Sequence, residues 1–380
     1  MADFSSPLYM TARETETVLE TRFTESARPT MFPCSSPQSA VKFIHSQSDH
    51  SIDAISGSSK TDRNGFTSLY LITNQEYNGD AGGAESVDQV FNYPTICRGA
   101  VTGIAISKNQ GNPVAIVSTA DGLLSLVKVI RRGSGYKEIV CVDSWPSARS
   151  SLVMGNAFAA VDECQNSIVA VSDAGTIDLV ELNGAGFREL GCNSTPSCAA
   201  YNDVKFLTAQ YRFVAVGNLP KSQIEIWDNK EPLDRPSVFF SSRTSSENAS
   251  VKVYQNCVAA HPTRHNIVLT GSSDGSLNLW DTRKPDAPFI GARCAHSGNV
   301  WGVSFDTYDP STFVSVGEDG NVFKWSYGGN APNIDASSMS YEKIFETTDS
   351  PANCLDIDEY SRRLCVGFDD GNVVTTQLKP

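Results

Sequence analysis

Between residues 268 and 325 the apolar and polar positions fall in short alternating bursts, and one burst is written twice. Val268-Leu-Thr-Gly-Ser-Ser-Asp-Gly-Ser-Leu-Asn-Leu-Trp-Asp281 is answered by Phe313-Val-Ser-Val-Gly-Glu-Asp-Gly-Asn-Val-Phe-Lys-Trp325. Each reads as an apolar strand, a tight turn on Asp-Gly, and a second strand that ends on tryptophan. In the second strand Leu277 and Leu279 alternate with Ser276 and Asn278, the period of two expected of a sheet. The turn residues Asp274 and Asp319 lie 45 positions apart, so the phrase is a repeat unit.

The turn marker extends in both directions. It recurs in Ser118-Thr-Ala-Asp-Gly-Leu-Leu-Ser-Leu126, in Val171-Ser-Asp-Ala-Gly-Thr-Ile-Asp-Leu179 and in Cys365-Val-Gly-Phe-Asp-Asp-Gly-Asn-Val373. Between residues 175 and 274 the stretch Val214 to Asp228 keeps the strand and the Trp227-Asp228 ending but has a longer turn. From Asp121 to Asp370 five intervals cover 249 residues, about 50 per repeat, which implies lengthened loops. A degenerate unit upstream, with strands at 51–60 and 67–72 about Gly65, brings the number to seven. Such units cannot bury their apolar faces singly and must stack in a ring. The expected fold is all-β, a seven-bladed WD-repeat β-propeller over residues 17–380. A ring must join its ends, since an open sheet edge invites aggregation. Thr17-Val-Leu-Glu-Thr-Arg-Phe23 has the length and alternation to supply a closing strand to the last blade. Residues 1–16 are polar and are expected to form a disordered tail.

Composition narrows the function classes. Hydrophobic residues make up 40% and charged residues 19% of the chain, enough apolar material for a large core. The formal charge of −13 argues against direct binding to nucleic acid, which needs a basic stripe. No run approaches the ~18 apolar residues of a membrane-spanning helix, and residues 1–25 carry no signal-peptide core. The ten cysteines are scattered without a Cys-x-x-Cys pair, which favours buried thiols in a reducing, intracellular compartment. Three stretches, 75–89, 229–250 and 327–340, read as long connecting loops able to carry a binding surface.

Candidate chemistry is sparse. His296, Ser315, Asp319 and Trp325 belong to one repeat and have the spacing of a structural tetrad: aspartate to imidazole, imidazole to hydroxyl, hydroxyl to indole N–H. A buried indole or imidazole N–H without a partner costs ~1–3 kcal/mol. That spacing outweighs a hydrolase reading of Ser-His-Asp. Cys257-x3-His261-x3-His265 hints at zinc, but Pro262 breaks any helix there and a fourth ligand is missing. No phosphate-binding loop or nucleophile motif occurs, so neither an enzyme nor a cofactor or metal is expected. Asn299, Trp301 and Glu318 fall where a propeller presents the rim of its central channel. They are candidate partner-binding residues, Trp301 above all because exposed aromatics dominate interface hot spots. Arg283, in Trp280-Asp-Thr-Arg283, supports a competing reading as the adaptor contact of a cullin ubiquitin-ligase substrate receptor.

The run from His261 to Arg283, the continuation Ala295-His-Ser-Gly-Asn-Val-Trp-Gly-Val-Ser-Phe305, the phrase Val316 to Trp325 and the ending Asn353 to Ile357 with Cys365 to Asp369 together resemble the family of forty-three-kilodalton WD-repeat nucleoporins. The resemblance implies a non-catalytic scaffold subunit of the Y-shaped outer-ring complex of the nuclear pore, at the nuclear envelope, supporting nucleocytoplasmic transport. It implies helical-solenoid scaffold nucleoporins as partners, with a single copy per subcomplex. It transfers no contact residues.

Overall fold

The computed structural model describes residues 9–11, 30–34, 36–45, 52–78, 84–108, 113–132, 136–146, 157–184, 186–193, 200–207, 211–219, 223–240, 253–284, 288–293, 295–327, 339–346 and 350–379. These form seven sheets, antiparallel except for one added strand on blade 5, and each sheet is one blade. Blade 1 spans Gln38 to Arg98, blade 2 Val101 to Pro146, blade 3 Phe158 to Cys192 and blade 4 Ala200 to Phe240. Blade 5 spans Gln255 to Arg293, blade 6 Val300 to Glu346, and blade 7 begins at Ala352. The innermost strand of each blade packs against that of the next, and that of blade 7 against that of blade 1. The ring is a closed seven-bladed β-propeller.

The second strand of a blade lies between two neighbours, and its side chains are accordingly buried on both faces. Val114–Thr119, Ile267–Ser272 and Thr312–Gly317 are buried at every position. Each buried aliphatic side chain there contributes about 1.5–3 kcal/mol relative to exposure. The Asp-Gly turns that lead out of these strands need a left-handed residue. Gly275 has φ +81°, and a Cβ on it would stand 2.1 Å from the His296 carbonyl oxygen. Alanine at Gly275 is therefore expected to destabilise the fold by more than the ~1 kcal/mol of an ordinary Gly→Ala exchange, checked by urea unfolding.

Closure is by an N-terminal strand, but Thr30–Pro33 occupies the outer edge of blade 7, antiparallel to Asn372–Gln377. The expected strand, Thr17 to Phe23, lies outside the described residues. The physical reason for the later segment is the connector. Only Cys34 to Pro37 separate Thr30–Pro33 from the inner strand of blade 1, and the Cys34 N–H is bound by the Gly371 carbonyl at 2.7 Å. Pro33, which cannot donate to a ladder, is tolerated because this is an edge strand. Within the expected tail, Tyr9–Thr11 forms a fifth strand on blade 5, parallel to Ile290–Arg293; the rest of 1–16 lies outside the described residues.

The loop expected over 75–89 is for the most part a hairpin. The third and fourth strands of blade 1 remain paired to Asn78↔Ala84, past the point where the second strand stops at Asp53↔Thr73. Of the other two loops, residues 241–250 and 328–338 lie outside the described residues.

Ion pairs buried between blades stiffen the ring. The Lys137 ammonium of blade 2 lies 2.6 Å from both carboxylate oxygens of Asp53 in blade 1. The Arg362 guanidinium of blade 7 binds Asp306 of blade 6, with Nε at 2.9 Å from Oδ2.

Candidate protein-docking site

The inner strands explain how side chains reach the channel. Each of the seven has a one-residue irregularity near its start, where the pairing with the second strand skips a position. The skipped residues are Ser39, Thr102, Ala159, Asn202, Asn256, Trp301 and Asn353, one per blade. A bulge leaves its extra residue out of the ladder and re-aims it. All seven line one axial cavity of about 350 Å³. Six of them are small or polar; the seventh is Trp301, 40% exposed.

Deeper in the channel, carboxylates bind backbone N–H groups of the following blade. The Phe43 N–H donates to Asp356 Oδ2 at 2.8 Å, the Phe206 N–H to Asp162 Oδ2 at 2.7 Å, and the Val258 N–H to Asp203 Oδ2 at 2.9 Å. These N–H groups lie on the free edge of an inner strand and would be costly to leave unpaired. Lys42 pairs with Asp356 at 2.5 Å and Lys205 with Asp162 at 3.5 Å, so the belt is close to charge-balanced. Burial pushes the Asp203 carboxyl up, against Lys205 and its two backbone donors.

The four tetrad residues meet in blade 6. The Trp325 indole N–H donates to Ser315 Oγ at 2.9 Å, Ser315 Oγ lies 2.8 Å from His296 Nε2, and His296 Nδ1 lies 2.9 Å from Asp319 Oδ1. One tautomer satisfies the whole chain: Nδ1–H donates to the carboxylate and Nε2 accepts the serine proton. Burial raises the Asp319 carboxyl, but the hydrogen bonds from His296 and the Ser297 N–H oppose it, and the group is held well below the usual range. Ser315 is fully buried and already engaged by the indole, so its oxygen has no path to a substrate. The tetrad is a post that fixes the segment 296–301.

The neighbouring blades use reduced versions. In blade 5 the Trp280 indole donates to Thr270 Oγ1 at 2.9 Å with no histidine behind it. In blade 4 the Trp227 indole N–H is buried without a hydrogen-bond partner among the described residues. The register gives the cause: Trp227 pairs with Phe213 as Trp325 pairs with Phe313, so the place of Ser315 is taken by Ala215. Serine at Ala215 is expected to stabilise the fold by about 1 kcal/mol by giving the indole an acceptor. A raised urea midpoint checks it, and a lowered one would show that the site has no room for the oxygen.

Of the candidate partner residues, three lie together. The Asn299 side-chain amide donates to Glu318 Oε2 at 2.7 Å, and its backbone N–H reaches the same oxygen at 3.1 Å. Those bonds hold the Glu318 carboxyl below its ordinary value. The Asn256 amide of blade 5 donates to Asn299 Oδ1 at 3.0 Å, which ties the group to the channel ring beside Trp301. Arg283 is elsewhere. The third strand of blade 5 runs from the Gly275 turn, whose carbonyl accepts the His296 N–H, to Asp281 at its far end. Arg283 therefore sits on the opposite face, where its Nε and Nη2 bind Asp281 at 2.9 and 2.7 Å.

Cys257, His261 and His265 do not converge. Cys257 is buried beside Gly271, and His261 is bound into the joint with blade 6. Its Nδ1 accepts the N–H groups of Thr263 and Arg264 at 3.2 and 3.0 Å, and its Nε2 faces the Tyr327 hydroxyl at 3.1 Å. The seven-membered bulge ring and the carboxylates that join the blades were not found from sequence. Aligning the inner strands, as in Asn256-Cys-Val258 against Trp301-Gly-Val303 and Asn353-Cys-Leu355, carries the signal for the ring.

Comparison with known proteins agrees with this architecture. Residues 241–281 match the family model "WD domain, G-beta repeat". The chain is 28% identical over 180 residues to nucleoporin Nup43 of Mus musculus, covering 47% of this chain and 44% of that one. It is 30% identical over 120 residues to nucleoporin Nup43 of Homo sapiens, covering 32% and 29%. The matched part is thus less than half the length of either relative. The crystal structure of the WD40 β-propeller domain of Doa1 superposes with a TM-score of 0.60 at 14% identity, over 93% of this chain and 97% of that one. That likeness concerns the fold alone.

Proposed function

We propose, from the likeness of this WD-repeat propeller to nucleoporin Nup43, that the chain is a non-catalytic docking and scaffold subunit of the nuclear pore outer ring. It acts at the nuclear envelope in support of nucleocytoplasmic transport, held by helical-solenoid scaffold nucleoporins, with one copy in each subcomplex. The observation that carries the reading is the match to relatives named Nup43, which joins the fold to an assembly. The geometry supports it physically. A closed ring with blades joined by carboxylate-to-backbone bonds and buried ion pairs is a stiff disc, and a stiff surface loses little conformational entropy on docking. Its turns, rather than a moving part, then set which partner fits.

The test is affinity purification of the tagged chain from cells with mass spectrometry, beside fluorescence microscopy. Solenoid nucleoporins in the eluate and a punctate nuclear rim are expected. A diffuse signal with no nucleoporin recovered would sink the reading. Alanine at Arg283 is expected to leave that eluate unchanged; loss of a cullin adaptor from it would instead revive the ligase-receptor alternative.

A further inference from the structure

Trp301 is out of place by the standards of the ring it belongs to. Of the other tryptophans, Trp227, Trp280 and Trp325 are at most 5% exposed, yet Trp301 stands 40% exposed at the channel mouth. It is flanked by two amide–carboxylate pairs. On the blade 5 side, Asn256 binds Asn299, which binds Glu318 through Oε2 alone. On the blade 7 side, the amide of Asn353, Trp301's neighbour in the ring, donates to Asp369 Oδ1 at 2.8 Å. The second oxygen of each carboxylate, Glu318 Oε1 and Asp369 Oδ2, has no hydrogen-bond donor among the described residues. The turns nearest to them are acidic, while Lys60 and Arg63 of the blade 1 turn lie on the far side of blade 7. The exposed turns of blades 5 to 7 bring Asp274, Glu318, Asp369 and Asp370 to this side, with no lysine or arginine in those turns.

We propose that this mouth docks an extended basic segment of a partner protein and seats an arginine over Trp301 between Glu318 and Asp369. An indole face attracts a cation, most strongly where it is partly desolvated. A planar guanidinium can stack on the ring while its N–H fork reaches the carboxylate oxygens, which a lysine ammonium does less well. The amides of Asn299 and Asn353 hold the two carboxylates in place beforehand, so little ordering is left to the binding step. An acidic side chain at this spot would be repelled by Glu318 and Asp369. The proposal rests on reading the chain as a docking propeller and is independent of which assembly it joins.

The experiment uses the purified chain and three fluorescein-labelled peptides of one length, in which arginine, citrulline or glutamate alternates with glycine and serine. Anisotropy titrations at about 50 mM NaCl are expected to show the arginine peptide binding at least about tenfold more tightly than the citrulline peptide, and the glutamate peptide not at all. Trp301→Ala is expected to weaken it about fivefold or more, and Glu318→Gln with Asp369→Asn about tenfold, with a flatter salt dependence. Asp173→Asn, an exposed turn carboxylate on blade 3, is the control and should change it less than about twofold. Circular dichroism of each variant verifies that the ring is folded. No binding of the arginine peptide, equal binding of citrulline, or equal weakening by Asp173→Asn would each overturn the proposal. Nucleoporin recovery from cells is scored separately, so a failed pore assignment and a failed arginine site give different patterns.

Discussion

Methionine in place of Lys137 lowers the free energy of unfolding by about 3–5 kcal/mol, as expected when one member of a buried ion pair is removed and the other is stranded. Lys137 and Asp53 are each 3% exposed, and they join blade 2 to blade 1. Burial already pushes the Asp53 carboxyl up in spite of the adjacent ammonium, so the cost of desolvation is only partly offset. Without Lys137 the carboxylate must either stay charged in an apolar joint or take up a proton. Replacing both residues, Lys137→Met with Asp53→Leu, is therefore expected to recover most of the loss, since an apolar pair of similar volume is often neutral or better. Urea midpoints for the wild type, the two single variants and the double variant form the cycle that measures this. A single variant within about 0.5 kcal/mol of wild type would mean that water reaches the pair.

The second large effect depends on pH. His261 is 1% exposed, and its Nδ1 can accept the N–H groups of Thr263 and Arg264 only when it carries no proton. Burial, aided by Arg264, lowers its pKa to about 4 from an ordinary value of 6.5. A lowered folded-state pKa means that the unfolded chain binds the proton first. The stabilisation from the neutral ring is complete above pH 6.5 and drains away as pH falls towards 4. Over that window it amounts to about 3 kcal/mol. Other groups titrate nearby, so the informative quantity is the difference between wild type and His261→Phe, which cannot titrate. That difference is expected to shrink by about 3 kcal/mol between pH 7 and pH 4. A difference that stays constant across the window would show that the ring is not held neutral.

Much of the ring was legible in the sequence because its rules are local. Asp-Gly sets a left-handed turn at Gly275, Gly320 and Gly371 whatever surrounds it. Tryptophan five positions after Gly275 and Gly320 lies near the end of the third strand, and Ser315 or Thr270 on the adjacent strand marks which indole will find an acceptor. The tetrad residues fell within one repeat and could be read from spacing. The site was less legible. Trp301 stood out as an aromatic beside a strand start, but its place in a seven-membered ring depends on a bulge, and a bulge has no residue type of its own. The carboxylates at Asp162, Asp203 and Asp356 looked like scattered surface acids, because their partners Phe206, Val258 and Phe43 belong to other blades.

The sequence by itself determined the number of blades, the turn chemistry, and the period of two that sets which side chains share a face. These depend on backbone preference and period, which act over a few residues. That both faces of the second strands, and Ser276 and Asn278 at the start of a third strand, are buried came from the stacking of blades. Only the tertiary structure decided which N-terminal segment closes the ring, Thr30–Pro33 in place of 17–23, and that the stretch 75–89 extends a hairpin. It also decided which charges meet, Lys137 with Asp53 and Arg362 with Asp306 across 84 and 56 residues of chain. Such choices turn on the geometry of the closed ring. Two segments with equal strand propensity differ there in how far their connectors reach, and a charge is buried or solvated according to which blade arrives beside it.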